Sequence, residues 1–108
     1  PWRRLLVRDR HHWLLLGDDE IAWIAAAGNY VELHARGRSF LRRGTITELT
    51  ARLDPALFAR IHRSTLVARA RVRRIAPEAS GDYAVELDTG DLLRMSRRYR
   101  GALLADAS

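Results

Sequence analysis

The chain has 108 residues, enough for one modest hydrophobic core and too few for two domains. A 47% hydrophobic content with three prolines excludes a disordered chain, the lack of cysteine excludes disulfides and thiolate metal sites, and no apolar run nears the roughly 18 residues of a membrane span. The formal net charge is +6, and all 19 lysine-or-arginine positions are arginine; such a balance favours a polyanion, either nucleic acid or an anionic membrane surface.

Apolar alternation of period two runs through most of the chain and predicts short strands. Arg3 to Val7 and Trp13 to Leu16 read as the first pair, with Gly17-Asp18-Asp19 as the turn after them. Ile21 to Ala27 is nearly all apolar, so it is either a strand buried on both faces or a buried helical segment. Ile21, Trp23 and Ile24 favour strand, and Gly28-Asn29 stops the run. Tyr30 to Ala35 alternates, with Val31, Leu33 and Ala35 on one face and Tyr30, Glu32 and His34 on the other. Gly37 turns the chain into Arg38 to Arg42, where Phe40 should face the core, and the two strands form a hairpin.

Thr45-Ile46-Thr47-Glu48 is a capping-box pattern, followed by Ile46, Leu49 and Leu53 at helical spacing. Asp54-Pro55 ends that helix and can start a second short helical turn, with Leu57, Phe58 and Ile61 as its apolar contacts. Leu66 to Val67 and Val72 to Ile75 read as strands around a turn near Arg69. Tyr83, Val85 and Leu87 alternate, and Asp88-Thr89-Gly90-Asp91 is a hairpin turn into Leu92 to Met95. A last helix is expected from Ser96, with Tyr99 and Leu103 on its buried side. Eight to ten short strands with two or three short helices make a β-rich α+β domain.

Charge is unevenly placed. Between Asp54 and Glu78 there is no carboxylate and six arginines: Arg60, Arg63, Arg69, Arg71, Arg73 and Arg74. A second acid-free stretch from Leu92 to Leu104 holds Arg94, Arg97, Arg98 and Arg100. The arginine fork matches phosphate and the guanine edge bidentately, so this clustering points to nucleic acid. Three arginines in the first turn of a helix starting at Ser96 oppose its dipole by typically ~0.3–1 kcal/mol each, which predicts an anion site there; the alternative is that they point into water. His62-Arg63-Ser64-Thr65 offers donors to phosphates and base edges, or else is a surface turn around a partly buried histidine. Gly28-Asn29-Tyr30 is ordinary turn chemistry whose amide can also read adenine.

Catalytic readings are poor. Ser64 near His62 resembles a nucleophile and base, but no motif places a carboxylate with them, so no catalytic residue, cofactor or small-molecule substrate is expected. His11, His12, His34 and His62 lack metal-ligand spacing, and no metal is expected. Trp2, Trp13 and Trp23 stand in apolar contexts and read as core or domain-junction residues.

Three blocks, in order, resemble a LytTR-type DNA-binding domain, the β-rich output module of many bacterial response regulators. They are Ile21-Ala22-Trp23-Ile24-Ala25-Ala26-Ala27-Gly28-Asn29-Tyr30-Val31-Glu32-Leu33-His34, then Phe58-Ala59-Arg60-Ile61-His62-Arg63-Ser64-Thr65-Leu66-Val67, then Gly81-Asp82-Tyr83 through Leu92 to Ser96-Arg97-Arg98-Tyr99. The second block is the most specific. Ala25 stands where the family usually has an acidic residue, and Ala68 where it has asparagine. The resemblance implies an elongated fold of several short antiparallel sheets whose inter-strand loops enter the DNA major groove. Carried over by position, Asn29, Arg63 and Arg97 are the expected base contacts, while Tyr30, His62, Ser64, Arg98 and Arg100 contact phosphates or support the loops.

The implied protein is a single domain over residues 1–108, excised from a longer cytoplasmic regulator of transcription. Its partner is double-stranded DNA of a specific sequence, with a second copy of itself on paired sites. The alternative from another class is a protein-interaction or sensory output module that kept the fold without tight DNA binding.

Overall fold

The computed structural model describes residues 1–105. Ten strands follow one another: β1 (Arg4–Asp9), β2 (His12–Gly17), β3 (Ile21–Ala27), β4 (Tyr30–Ala35), β5 (Arg38–Arg43), β6 (Phe58–His62), β7 (Thr65–Ala68), β8 (Val72–Pro77), β9 (Tyr83–Leu87) and β10 (Leu92–Met95). Helix α1 (Ile46–Arg52) separates β5 from β6, and the short α2 (Gly101–Leu104) closes the described chain. All pairings are antiparallel and form three sheets: β1-β2, the central β5-β4-β3-β7-β6, and β10-β9-β8. The domain measures 46 × 26 × 24 Å, the elongated shape expected.

The central sheet is covered on one face, and over β3, β7 and β6 on the other as well. On one, Ile24, Val31, Leu33, Phe40 and Leu66 pack against Leu5, Val7 and Leu16 of the first hairpin and against Ile46, Leu49 and Leu53 of α1 and its end. On the other, Ala22, Ala59, Ile61 and Val67 meet Val85, Leu87, Leu93 and Met95 of the third sheet, with Leu103 and Leu104 of α2 at the margin. This two-sided burial explains why Ile21–Ala27 is apolar almost throughout: it is a strand, and neither face sees water near its start. Each fully buried leucine or isoleucine in these layers contributes roughly 1.5–3 kcal/mol of transfer free energy.

Thr45 caps α1 by accepting the Glu48 N–H at 3.0 Å, as its pattern predicts. Two expectations change. The second helical turn is only a turn: the Asp54 carbonyl accepts from the amides of Leu57 and Phe58, and Phe58 then opens strand β6 rather than packing from a helix. Trp13 is not in the core; 62% of it is exposed on the outward face of β2. Trp2 packs at the edge of the first core between Arg42 and Arg52, and Trp23 lies half-buried between the two larger sheets, stacked on His34 at 3.8 Å and donating to Asp91.

Candidate nucleic-acid interface

Strand β3 organises one end of the molecule. It ends in Gly28-Asn29, a two-residue turn in which Gly28 takes φ +64°, a backbone state favoured by glycine. The Asn29 carbonyl accepts the Gly44 amide at 3.0 Å, which ties this turn to the end of β5. On the other side of β3, Ala25 pairs with Thr65, and the Ala26 amide donates to the Ser64 carbonyl at 2.9 Å. The Arg63-Ser64 turn between β6 and β7 therefore hangs beside the Gly28-Asn29 turn. A third segment joins them: the Ser96 amide donates to the Ile61 carbonyl at 3.0 Å, bringing the 3-10 turn Arg97–Tyr99 against β6.

The result is an open cleft of about 550 Å³ lined by His62, Arg63, Ser80, Asp82, Arg94, Ser96, Arg97, Arg98 and Tyr99. Arg63, Arg97 and Arg98 are exposed, and their guanidinium groups have no hydrogen-bond partner among the described residues. Asn29 and Tyr30 sit outside the cleft, on the adjoining turn; Tyr30 is 42% exposed, with the Arg43 guanidinium 6.0 Å from its ring centre. Arg100 turns away to donate to the Tyr83 hydroxyl at 3.0 Å.

His62 holds its turn from inside. Its Nδ1 lies 2.8 Å from Ser64 Oγ and accepts the Ser64 amide at 3.2 Å. An N–H donor pointing at Nδ1 leaves the ring proton on Nε2, so the hydroxyl donates as well. Burial, then Arg94 and Arg63, hold the imidazole below its usual range, and it is neutral at pH 7.

Asp82 is the buried charge of the site, with 8% exposure. It accepts from Arg94 Nε at 2.9 Å, from Arg94 Nη2, and from the Arg97 amide at 3.1 Å. The Arg97 N–H first, and Arg94 after it, hold its carboxyl below the ordinary carboxylate range. This overturns the expected anion site at a helix starting from Ser96. The Ser96 side chain makes no cap, the helix is a 3-10 turn followed by a four-residue α2, and the anion at the Arg97 amide is the protein's own carboxylate. The arginines are tolerated there because Asp82, fifteen residues upstream, supplies the negative charge. The Arg97 side chain crosses Gly81, at φ +92°, where a Cβ would come within 3.3 Å of it.

Several arginines of the acid-free stretches are braces. Arg60 donates to the Arg63 carbonyl at 2.7 Å, to the His62 carbonyl at 3.4 Å and to Thr47 Oγ1 at 3.3 Å, with its guanidinium 5.8 Å from the Tyr99 ring centre. Arg69 clamps α2 by donating to the carbonyls of Pro55 and Ala102, and Arg71 pairs with Asp88. The two-residue spacing of Arg60 and His62, which sets both on one side of a strand, was the available signal for the Arg60 brace.

Polar, arginine-rich turns held at one end of a β-scaffold suit contact with the phosphates of a nucleic acid. The LytTr DNA-binding domain profile matches residues 11–106, and the chain belongs to this family. It is 41% identical over 90 residues to the CO-responsive transcriptional regulator RcoM of Rhodospirillum rubrum, covering 77% of this chain and 37% of that protein. It is 30% identical over 78 residues to an uncharacterised response regulatory protein of Vibrio cholerae, covering 68% of this chain and 30% of that protein. The chain thus spans about a third of the length of the curated relatives it matches. In fold it is similar to a Bacillus cereus chain described as the LytTr DNA-binding domain of a methyl-accepting/DNA response regulator, with TM-score 0.88, 16% identity, and 97% and 96% of the two chains covered.

Asp82 gives a test of how the cleft is built. In Asp82→Asn the amide oxygen can still accept the Arg97 N–H, but Arg94 loses its counter-charge. Binding to a scrambled duplex should tighten, because one negative charge leaves the cleft, while the preference for a specific duplex over it shrinks as Arg94 and Arg97 loosen. Titrations on both duplexes measure this. Equal tightening on both would reduce Asp82 to a charge effect without a positioning role.

Proposed function

We propose that this domain reads a specific DNA sequence from the major groove, as the output domain of a cytoplasmic bacterial transcriptional regulator. The observation that supports it best is the assembly of the Arg63 and Arg97 turns around one cleft, with the Asn29 turn beside them across β3. Arg63 and Arg97 are free to address guanine edges, and Asn29 is exposed to address adenine. Arg98 and Tyr30 contact phosphates at the margin. His62, Ser64 and Arg100 act chiefly as loop supports, since each already has a partner within the domain.

The His62–Ser64 pair has the spacing of a base and nucleophile, yet the nearby Asp82 carboxylate is engaged by Arg94 and the Arg97 amide and does not orient the imidazole. This supports a binding role without catalysis. The domain is one unit over residues 1–108, and paired target sites would seat a second copy beside the first.

The groove assignment is tested by chemical interference. Methylation of guanine N7, which lies in the major groove, should abolish binding at the guanines facing Arg63 and Arg97. A minor-groove ligand such as distamycin should leave binding intact. The reverse pattern would refute major-groove reading while leaving DNA binding itself untouched.

A further inference from the structure

The first hairpin breaks the rule for a sheet with one wet face. In such a sheet the inward positions are apolar and the outward ones polar. Leu5, Val7 and Leu16 face the core as required. The outward positions should then be polar, but Leu6 is 48% exposed, Trp13 62% and Leu15 49%, and Leu6 and Leu15 are paired across the two strands. Leu41 on β5 adds 54% exposure beside them. Apolar side chains on both faces are the pattern of a strand meant to be covered twice.

What covers this face is indicated by its rim. The hairpin and β5 enclose a groove of about 360 Å³, bordered by Arg8, Arg42 and Arg43 and by no carboxylate. Arg8 lies 5.3 Å above the Trp13 ring. Of the acids on the neighbouring strands, Asp9 pairs with Arg38, and Glu32, opposite Leu41, has its Oε1 2.6 Å from His34 Nε2. A second copy docked through the same face would set arginines against arginines. A bilayer presents a flat surface, whereas this groove accepts protruding side chains. Exposed Trp and Arg around an apolar pocket are the composition of a protein-binding centre.

We propose that the outward face of β1-β2 and β5 is a docking surface for an acidic polypeptide segment with apolar anchors, such as a helix presenting leucines flanked by glutamate or aspartate. Its leucines enter the groove between Leu6, Trp13 and Leu41, and its carboxylates meet Arg8, Arg42 and Arg43. This groove shares no lining residue with the Arg63–Arg97 cleft; Tyr30, at the margin of the proposed DNA interface, also lines it, so the test uses Trp13 and Leu41, which lie outside that interface.

The probe is a short amphipathic peptide of leucine and glutamate, titrated into the isotopically labelled chain and followed by amide resonances. Shifts are expected at Leu6, Trp13, Leu15 and Leu41, and a peptide with lysine in place of glutamate should bind at least about tenfold more weakly. Trp13→Ala and Leu41→Ser should each weaken the acidic peptide about tenfold or more with DNA affinity unchanged. The two substitutions lie on different sheets, so if one variant fails to fold the other still decides. The proposal fails if the shifts fall on the Arg63–Arg97 cleft, or if the lysine peptide binds equally well. It also fails if vesicles of phosphatidylglycerol bind more tightly than the peptide and lose binding in Trp13→Ala. A dimer in sedimentation equilibrium that Leu41→Ser disperses would give the face to a second copy and equally overturn it.

Discussion

Raising the salt from about 50 to about 200 mM should weaken DNA binding roughly several hundredfold. The two acid-free stretches hold ten arginines, but Arg60, Arg69, Arg71, Arg94 and Arg100 are engaged within the domain. Arg63, Arg73, Arg74, Arg97 and Arg98 have no side-chain hydrogen bond among the described residues and are exposed. An arginine at a base edge still brings its charge among the phosphates. About five neutralised phosphates give a slope of roughly −4 to −5 in log K against log salt. Fluorescence anisotropy at several salt concentrations measures the slope. A value near zero would remove the electrostatic basis of the interface.

The second large effect is on specificity. Arg63→Ala and Arg97→Ala should each remove ~1–3 kcal/mol of discrimination between a specific and a scrambled duplex, the usual worth of a bidentate base contact. Neither should lower the melting temperature, since both side chains are exposed and unbonded among the described residues. Arg98→Ala should instead weaken both duplexes alike and make the salt slope shallower by about one. If Arg63→Ala and Arg97→Ala also lose affinity equally on both duplexes, the two arginines grip the backbone and the base readers lie elsewhere.

Most of the strand framework was legible from alternation. β3 and β4 carry the predicted bounds: β4 alternates strictly, Ile21, Trp23 and Ile24 favour a strand for β3, and the Gly-Asn turn fixes where one ends and the other begins. β6 was not legible, and the reason is local. β6 is covered on both faces, so Phe58 enters one core while Ala59 and Ile61 enter the other, and no apolar–polar alternation marks it as a strand. In sequence, Leu57, Phe58 and Ile61 then mimic helical spacing. At the candidate site, the dipole argument placed a docked anion at a helix starting from Ser96; the Asp82 carboxylate that occupies the Arg97 amide instead is brought there only by folding, so the sequence could not show it. The same holds for Arg60, which composition counts as a phosphate donor and the fold uses to hold two carbonyls. Trp13 misled because its neighbours in sequence are apolar, whereas exposure depends on which side of β2 it occupies.

On the proposed reading, the division between Arg60, His62 and Asp82, which hold the turns, and Asn29, Arg63 and Arg97, which project from them, bears on how target preference can change over evolution. Substitutions at the projecting positions remove no core contact and break no brace, so they can drift without crossing the stability threshold that purges most mutations. A duplicated regulator could acquire a new operator by a few point changes at those tips while its scaffold stayed under purifying selection. Recognition and foldability would then evolve on separate clocks within one small domain.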